Sequence, residues 1–262
     1  MLPWFRVLFL IFTFLLLASG ATSSNSRTPP SAPVVSSPTP VIVIGFVGGF
    51  VRHDDRVHTE VQLVDRLREE YASGVYLRTF ENHRGKEAYQ EILRLLDANH
   101  DGSLSAEEKQ SARIIIFGHS WGASETVELA RQLGKDGIPV LLTIQVDSVS
   151  KFGENDSVIP ANVAQAVNFY QLDGFLHGES KIRAADPART RILGNFRSDY
   201  KSKPLTCGQY PWWDRAFMKP HIQIECDPVV WHQVESLIRS NLTLEARIPS
   251  PGETTSTASP LK

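Results

Sequence analysis

A serine flanked by glycines, at the point where an apolar run gives way to a helical pattern, restricts the fold of this 262-residue chain more than any other feature. The motif is Gly118-His119-Ser120-Trp121-Gly122, and it lies between the apolar run 114–117 and the helical pattern 123–133. This order predicts a strand, a tight turn and a helix, with Ser120 at the apex. Side chains in place of the glycines would collide in so tight a turn. We interpret the serine as a nucleophile whose hydroxyl is lifted above a sheet, and the alternative is an ordinary glycine-bounded turn.

Apolar runs and helical spacings alternate through the region 41–248, which we interpret as one folded domain. The predicted strands are 41–44, 74–80, 113–117, 140–146, 166–170 and 190–194, and the predicted helices are 59–71, 88–96, 123–133 and 229–242. Such alternation predicts an α/β fold, a mostly parallel sheet with helices on both faces. The active site of such a sheet lies at the carboxyl ends of its strands, where Ser120 is placed.

The two ends of the chain differ in composition from the domain. Residues 1–21 have the pattern of a signal peptide, because Arg6 precedes the apolar run 7–17 and small residues follow it. The run is shorter than the about 20 apolar residues that cross a membrane, so we expect a secreted or periplasmic protein. Anchoring by an uncleaved N-terminal segment is the alternative, and only then do we expect contact with a membrane. Segments 22–40 and 249–262 are rich in Ser, Thr and Pro, which predicts a disordered linker and tail.

Charge and cysteine content limit the partners and the compartment. The chain carries 27 Lys and Arg against 29 Asp and Glu, a formal net charge of -2, and no basic patch stands out. This balance argues against a nucleic-acid partner. The two cysteines, Cys207 and Cys226, can form a disulfide in an exported protein, and two unpaired thiols are the alternative.

Residues 41–49, the motif 118–122 and a histidine ahead of the last predicted helix together resemble the α/β-hydrolase superfamily, in its lipase, esterase and thioesterase branch. The resemblance covers nearly all of 41–248. It implies the α/β-hydrolase fold and a catalytic triad whose members follow the chain order nucleophile, acid, histidine. No organic cofactor is expected.

The resemblance also implies an oxyanion hole made of two backbone N–H groups. One donor would come from Trp121, directly after the nucleophile, and the other from Phe46, with Val47 as the second choice. The family often has His-Gly where this sequence has Ile44-Gly45. Because the donors are backbone groups, this change of side chain leaves the assignment in place.

Three histidines follow the nucleophile and compete for the role of general base. His232 lies within the last helical pattern, and His177 lies in a loop with no helix directly behind it. His221 lies in a predicted loop shortly before the final helix, as the catalytic histidine of the family does. A bridge between Cys207 and Cys226 would close a loop around His221 and hold the base in place.

Three aspartates compete for the acid, and their spacing leaves the choice open. Asp147 ends the predicted strand 140–146 and is our first choice, because a residue at the carboxyl end of a strand points into the site. Asp156 lies in a segment that resembles the acid segment of other members of the superfamily. Asp173 follows a predicted strand as well, but Asp173-Gly174 is also a plain turn signal.

A second motif, in the segment 97–108, fits the twelve-residue calcium loop of EF-hand proteins. It has oxygen side chains at positions one, three and five, glycine at six and glutamate at twelve. The expected ligands are Asp97, Asn99, Asp101, Ser103 through its carbonyl, Ser105 and Glu108. The alternative is an Asx-rich turn that caps the following helix. We expect a structural Ca²⁺ ion that has no part in the chemistry.

These features together predict an exported serine hydrolase that cleaves carboxylic esters or thioesters through an acyl-enzyme. The expected substrate is a small-molecule or lipid ester. An acyltransferase on the same fold differs only in the second nucleophile. A non-catalytic binding protein with a hydrolase fold is the alternative from another class.

Overall fold

The computed structural model describes residues 40–71 and 73–247. The predicted signal segment 1–21, the linker up to residue 39 and the tail 249–262 lie outside the described residues. The strands are β1 (Val41–Val47), β2 (Val75–Glu81), β3 (Ile114–His119), β4 (Val140–Val146), β5 (Val158–Ile159), β6 (Val163–Gln171), β7 (Arg183–Ala184) and β8 (Arg191–Ser198). The helices are α1 (Thr59–Glu70), α2 (Gly85–Leu96), α3 (Ala106–Gln110), α4 (Trp121–Lys135), α5 (Trp212–Phe217), α6 (Lys219–Glu225) and α7 (Pro228–Arg247).

Six strands form one sheet in the order β2-β1-β3-β4-β6-β8, and every neighbouring pair is parallel. The sequence-based prediction of a mostly parallel α/β sheet is therefore confirmed. Strands β5 and β7, two residues each, form a separate parallel pair that the periodicity did not indicate. All six main strands point the same way, so their carboxyl ends share one edge of the sheet.

Side chains alternate along each buried strand, so both faces of the sheet are apolar. Helices cover both of these faces. On β3, Ile114 and Ile116 pack into the cluster that includes α2 and α4. Ile115 and Phe117 pack into the opposite cluster, which includes α1 and α7. All four side chains are fully buried, and each contributes roughly 2 kcal/mol of hydrophobic stabilisation. The continuous apolar run of β3 is thus explained by burial on both of its faces.

The histidine predicted to lie in a loop before the last helix lies inside a helix of its own. Helix α6 spans seven residues, with Pro220 in its first turn and His221 directly after that proline. A helix of two turns is too short to show a clear apolar period, and for this reason the sequence pattern missed it. Within the described residues, no helix combines the length and apolar character needed to cross a membrane.

Candidate active site

Ser120 lies at a sharp turn between β3 and α4, at the carboxyl edge of the sheet. Its backbone has φ 58° and ψ -126°, a conformation that residues other than glycine rarely adopt. The flanking glycines are required by close approach. A Cβ on Gly118 would lie 2.5 Å from the carbonyl of Gly122, and a Cβ on Gly122 would overlap the carbonyl of Phe46. Strain of this kind typically amounts to about 1–3 kcal/mol and is held by the packing around it.

Ser120 and His221 are in direct hydrogen-bonding contact, although they are 101 residues apart in the chain. The serine Oγ lies 2.8 Å from His221 Nε2. Both side chains are buried. The structure thus brings together the predicted nucleophile, on the turn before α4, and the predicted base, on α6.

Asp147 completes a continuous hydrogen-bonded chain from the carboxylate to the serine. His221 Nδ1 lies 2.7 Å from Asp147 Oδ2. A carboxylate only accepts hydrogen bonds, so Nδ1 carries the proton and Nε2 is left to accept the hydrogen bond from the Ser120 hydroxyl. This tautomer is the one that a general base requires, because its free nitrogen faces the nucleophile.

The carboxylate of Asp147 is held by partners from the neighbouring strand and loop. The Gln171 side-chain amide donates to Oδ2 at 2.8 Å, and the backbone N–H groups of Gln171 and Gly178 donate to Oδ1 at 3.2 and 2.8 Å. Burial raises the pKa of Asp147, but the hydrogen bonds from His221, Gln171 and Gly178 outweigh it, so the pKa lies below its ordinary value. The carboxylate is therefore ionised at neutral pH. No sequence signal identified Gln171 or Gly178, since both act only through the folded arrangement.

The other two aspartates lie elsewhere and bind different groups. Asp156 is buried and accepts hydrogen bonds from the hydroxyls of Ser148 and Ser150. Asp173 accepts hydrogen bonds from the backbone N–H of Tyr200 at 2.6 Å and from Arg197 at 3.4 Å. Of the three candidates, the structure therefore brings Asp147 to His221.

The other histidines considered as bases are placed differently as well. His177 Nδ1 lies 3.3 Å from the carbonyl of Gly178. His232 is exposed on α7. Neither position offers the contact with Ser120 that His221 makes.

The predicted oxyanion donors, Trp121 and Phe46, belong to the helix after Ser120 and to strand β1. Trp121 is the first residue of α4, where a backbone N–H has no acceptor within the helix. Phe46 lies inside β1, aligned with Phe80 and Gly118 on its two neighbours, a position in which backbone N–H groups are normally used by the sheet. The first residue after β1 lies close to the nucleophile, since a Cβ on Gly48 would lie 3.0 Å from the Ser120 Cβ.

Four exposed phenylalanines lie on segments around this edge of the sheet. Phe50 follows β1, Phe152 follows β4, Phe175 follows β6 and Phe217 ends α5, and each is at least 82% exposed. Phe50 packs edge-on against Trp121, with ring centroids 5.5 Å apart. A contiguous exposed apolar patch beside a site is a candidate surface for apolar ligands. We refer to these four residues as the phenylalanine rim.

Cys207 and Cys226 are joined by a disulfide in the structure. Cys226 directly follows α6, so the bridge fixes the end of the helix that carries His221. Cys207 packs in a small cluster with Tyr210 and Ile222. Ile222 directly follows the candidate base, His221, in the chain. The bridge therefore tethers the helix to the segment that precedes α5.

Loss of this disulfide is expected to lower the free energy of unfolding by about 3 kcal/mol, because a bridge across 19 residues restricts the unfolded chain. Urea unfolding of the double variant Cys207→Ala/Cys226→Ala measures the effect. A reducing agent should shift the wild type in the same direction and leave the double variant unchanged. A double variant as stable as the wild type would contradict the prediction.

The segment 97–108 consists of the loop that follows α2 and the first residues of α3. Its side chains fold inward onto the backbone: Asp97 accepts from the N–H of Gly102 at 3.0 Å, and Asp101 accepts from the N–H of Ser103 at 2.8 Å. Glu108 accepts from the N–H groups of Ala98 and Ser105, each at 2.9 Å, and forms a capping box with Ser105. Gly102, at loop position six, has φ 82°.

These contacts hold the oxygen side chains of the segment against its own backbone. Leu104 packs against the core cluster that includes α2 and α4. The same hydrogen bonds also describe an Asx-rich turn with a helix cap. The donor set fits a hard cation such as Ca²⁺.

No family model and no curated protein matches this sequence. Solved structures resemble it in fold. A thermostable esterase from Pseudomonas putida is 12% identical, with a TM-score of 0.40 over 80% of this chain and 74% of that one. The thioesterase of the prodiginine biosynthetic pathway in Streptomyces coelicolor is 10% identical, with a TM-score of 0.33 over 78% of this chain and 100% of that one.

A fluorophosphonate-binding serine hydrolase of Staphylococcus aureus, solved with substrate bound, is also similar. It is 12% identical, with a TM-score of 0.32, over 75% of this chain and 88% of that one. These similarities concern the fold alone. The activity of this protein therefore has to be inferred from the geometry of its own site.

Proposed function

We propose that this protein is a serine hydrolase that cleaves carboxylic esters or thioesters through an acyl-enzyme. The observation that carries the proposal is the continuous chain Asp147–His221–Ser120, with contacts of 2.7 and 2.8 Å. This chain supplies a nucleophile, a base in reach of its proton and a carboxylate that orients the base, as acyl transfer requires.

In the proposed reaction, His221 Nε2 takes the proton of the Ser120 hydroxyl while Oγ attacks the acyl carbonyl. The resulting imidazolium is stabilised by the ionised Asp147. It then donates its proton to the oxygen or sulfur of the leaving group, and the acyl-enzyme forms. Water attacks this intermediate with the same histidine as base, and the acid and free Ser120 are released.

The negative oxygen of the tetrahedral intermediate needs fixed donors. We assign the N–H of Trp121 as one of them, since it lies at the positive end of α4 and next to the nucleophile. The second donor is assigned to segment 46–48, which includes Phe46 and Val47 and whose last residue, Gly48, approaches Ser120. Each donor of this kind is typically worth ~3 kcal/mol in the transition state.

The proposed substrate is a small-molecule or lipid ester with an apolar part. Support comes from the phenylalanine rim, three of whose exposed residues lie on the segments that follow β1, β4 and β6, at the edge where Ser120 lies. An apolar acyl or alcohol group would cover these rings on binding and remove their surface from water. The formal net charge of -2 gives no support to a nucleic-acid partner.

A fluorophosphonate probe distinguishes the hydrolase from a non-catalytic binding protein on the same fold. The hydrolase is expected to be labelled at Ser120 and to hydrolyse a p-nitrophenyl ester. A protein that is neither labelled nor active on oxygen esters and thioesters would contradict the proposal. The acyltransferase alternative predicts faster release of p-nitrophenol when an added alcohol competes with water, together with formation of a new ester.

We propose export as the location, based on the signal-like segment 1–21. The Cys207–Cys226 disulfide supports the proposal, because such bridges persist in oxidising compartments. Contact with a membrane is proposed only for the case in which the N-terminal segment stays uncleaved.

We also propose that the segment 97–108 binds a structural Ca²⁺ ion. The oxygens of Asp97, Asn99, Asp101, Ser103, Ser105 and Glu108 would hold it. A single loop of this type binds in the range of extracellular modules, with Kd about 10⁻⁴–10⁻³ M. The ion would connect α2 to the segment that leads into β3, and it would take no part in acyl transfer.

Addition of 10 mM Ca²⁺ is expected to raise Tm by about 3–10 °C relative to a chelator, from the free energy that a ligand at 10 to 100 times its Kd supplies. Differential scanning calorimetry measures the shift. Glu108→Gln removes the ligand at position twelve and should abolish the shift, whereas Glu107→Gln, one residue earlier, should retain it. An equal shift in both variants, or with Mg²⁺ in place of Ca²⁺, would count against a specific site.

A further inference from the structure

A buried cluster of charged and imidazole side chains lies behind His221 and has no part in the proposed reaction. His58 Nδ1 lies 2.5 Å from Glu225 Oε1, and His119 Nδ1 lies 3.4 Å from Glu225 Oε2. Glu60 is on the same side, with its Oε1 at 3.9 Å from His119 Nδ1. One ligand atom from each of His58, Glu60 and Glu225 lies within 4.8 Å of the others.

One of the two carboxylates of this cluster, Glu60, is poorly compensated. Glu60 is completely buried, and neither of its side-chain oxygens has a hydrogen-bond partner among the described residues. Buried polar groups are almost always hydrogen-bonded, and an unpaired buried carboxylate is especially unfavourable. His58 and His119 both contact Glu225, whereas Glu60 has only His119 Nδ1, at 3.9 Å. The Glu60 oxygens therefore lack a direct donor or cation among the described residues.

We propose that His58, Glu60 and Glu225 form a binding site for a divalent transition-metal cation, with Zn²⁺ as the best fit. A dication held by one neutral imidazole and two carboxylates gives a neutral site. Mixed nitrogen and oxygen donors suit Zn²⁺, whereas Ca²⁺ and Mg²⁺ prefer oxygen alone. Ligands at about 2.0–2.2 Å from a tetrahedral ion lie about 3.3–3.6 Å apart, so side-chain shifts of about 1 Å would close the site.

The site would tie two helices together. His58 and Glu60 lie at the start of α1, and Glu225 ends α6, four residues after His221 and on the same face. Thr59 already links the two helices, because its hydroxyl donates to the carbonyl of Glu225 at 2.8 Å. A bound cation would add a second link and fix the helix that carries the candidate base.

His119 connects the cluster to the candidate active site. Its ring centroid lies 4.5 Å from that of His221. His119 thus contacts both Glu225 and His221, so the proposed ion would be held at one residue's distance from the candidate base. The proposed ion is therefore structural, and its binding does not depend on the proposed hydrolase activity.

A proton can replace the cation in this arrangement. Burial and the negative charge of Glu225 raise the pKa of Glu60 well above its ordinary value. Without a cation, a proton on Glu60 would reduce the repulsion between the two carboxylates. The two states differ in composition, so metal analysis tells them apart directly.

Co²⁺ is the probe of choice, because its visible absorption reports ligand number and geometry. Tag-free protein is stripped with a chelator, supplied with excess Ca²⁺ to fill the segment 97–108, and titrated with Co²⁺. We expect one Co²⁺ per chain, with absorption typical of four or five ligands, displacement by Zn²⁺, and a higher Tm with either ion. His58→Gln and Glu60→Gln are each expected to lose the bound Co²⁺ and the Tm shift.

His53→Gln provides the matched control. His53 also pairs with a glutamate, with Nδ1 at 2.8 Å from Glu81 Oε1, but this pair is partly exposed and lies outside the cluster. The control is expected to bind Co²⁺ as the wild type does. Wild-type protein that binds no stoichiometric Co²⁺ or Zn²⁺ would overturn the proposal in favour of the protonated pair, whether or not the variants fold. Equal loss in His53→Gln, or none in Glu60→Gln, would overturn it as well.

Discussion

Replacement of Ser120 by alanine is expected to lower kcat for ester hydrolysis by about 10⁴–10⁶-fold, with loss of fluorophosphonate labelling. The variant keeps the base, the carboxylate and the oxyanion donors, but it has no oxygen that can form the acyl-enzyme. Steady-state hydrolysis of a p-nitrophenyl ester measures the effect. The residual rate reports what the remaining groups contribute to direct attack by water.

Ser124→Ala is the matched control for this variant. Ser124 lies one helical turn further along α4, is buried, and donates a hydrogen bond to Glu154 at 3.0 Å. It is expected to keep both labelling and kcat close to the wild type. Hydrolysis that persists in Ser120→Ala at the wild-type rate would show that the nucleophile lies elsewhere.

Asp147→Asn is expected to lower kcat by about 10⁴-fold, the effect that the same change has in a Ser-His-Asp protease. The carboxamide can present its NH₂ to His221 Nδ1, which favours the wrong imidazole tautomer and removes the charge that stabilises the imidazolium. Fluorophosphonate labelling should become slow without being lost, because Ser120 is still present. The kinetic comparison therefore separates an orienting carboxylate from the nucleophile.

Asp156→Asn is the control, since Asp156 is a buried aspartate with hydroxyl partners and no contact with His221. Its kcat is expected to remain within about tenfold of the wild type. A larger loss in Asp156→Asn than in Asp147→Asn would reverse the assignment of the acid. Such a result would favour the sequence-based alternative over the geometry.

The lowered pKa of Asp147 also predicts that the free energy of unfolding depends on pH. The folded pKa of Asp147 lies below its ordinary value, so its ionised form stabilises the fold above the unfolded pKa. This contribution is lost as the pH falls through the folded pKa. The difference in free energy of unfolding between wild type and Asp147→Asn should therefore shrink between pH 7 and pH 3. A difference that stays constant over this range would contradict the role of the ionised carboxylate.

The sequence was most informative where one short segment contained the whole feature. The run 114–117, the glycine-flanked Ser120 and the following helix could be predicted because burial on both faces and a tight turn each impose a local pattern. Asp147 could be ranked first because a residue after a parallel strand lies at the same edge as Ser120. The prediction of a parallel sheet depended on the same periodicity.

Features that depend on distant segments could not be predicted. The sequence pattern did not predict that His221 lies within a helix, because α6 has only seven residues. Glu60 reads as an ordinary acidic residue in the first turn of α1, and only the docking of α6 shows that it is buried beside Glu225. Gln171 likewise becomes a partner of Asp147 only when β6 lies next to β4. Packing between elements, which single-sequence patterns do not encode, determined these contacts.

The order of the three candidate catalytic residues along the chain has a consequence for biosynthesis. Ser120 and Asp147 are made first, and His221 follows 74 residues after the aspartate. Domains form progressively as a chain leaves the ribosome, so the growing polypeptide holds a serine that has no base. Under the proposed function, an unfinished chain is inert toward cellular esters. Hydrolytic chemistry begins only when the last helices dock, and its onset marks the completion of folding.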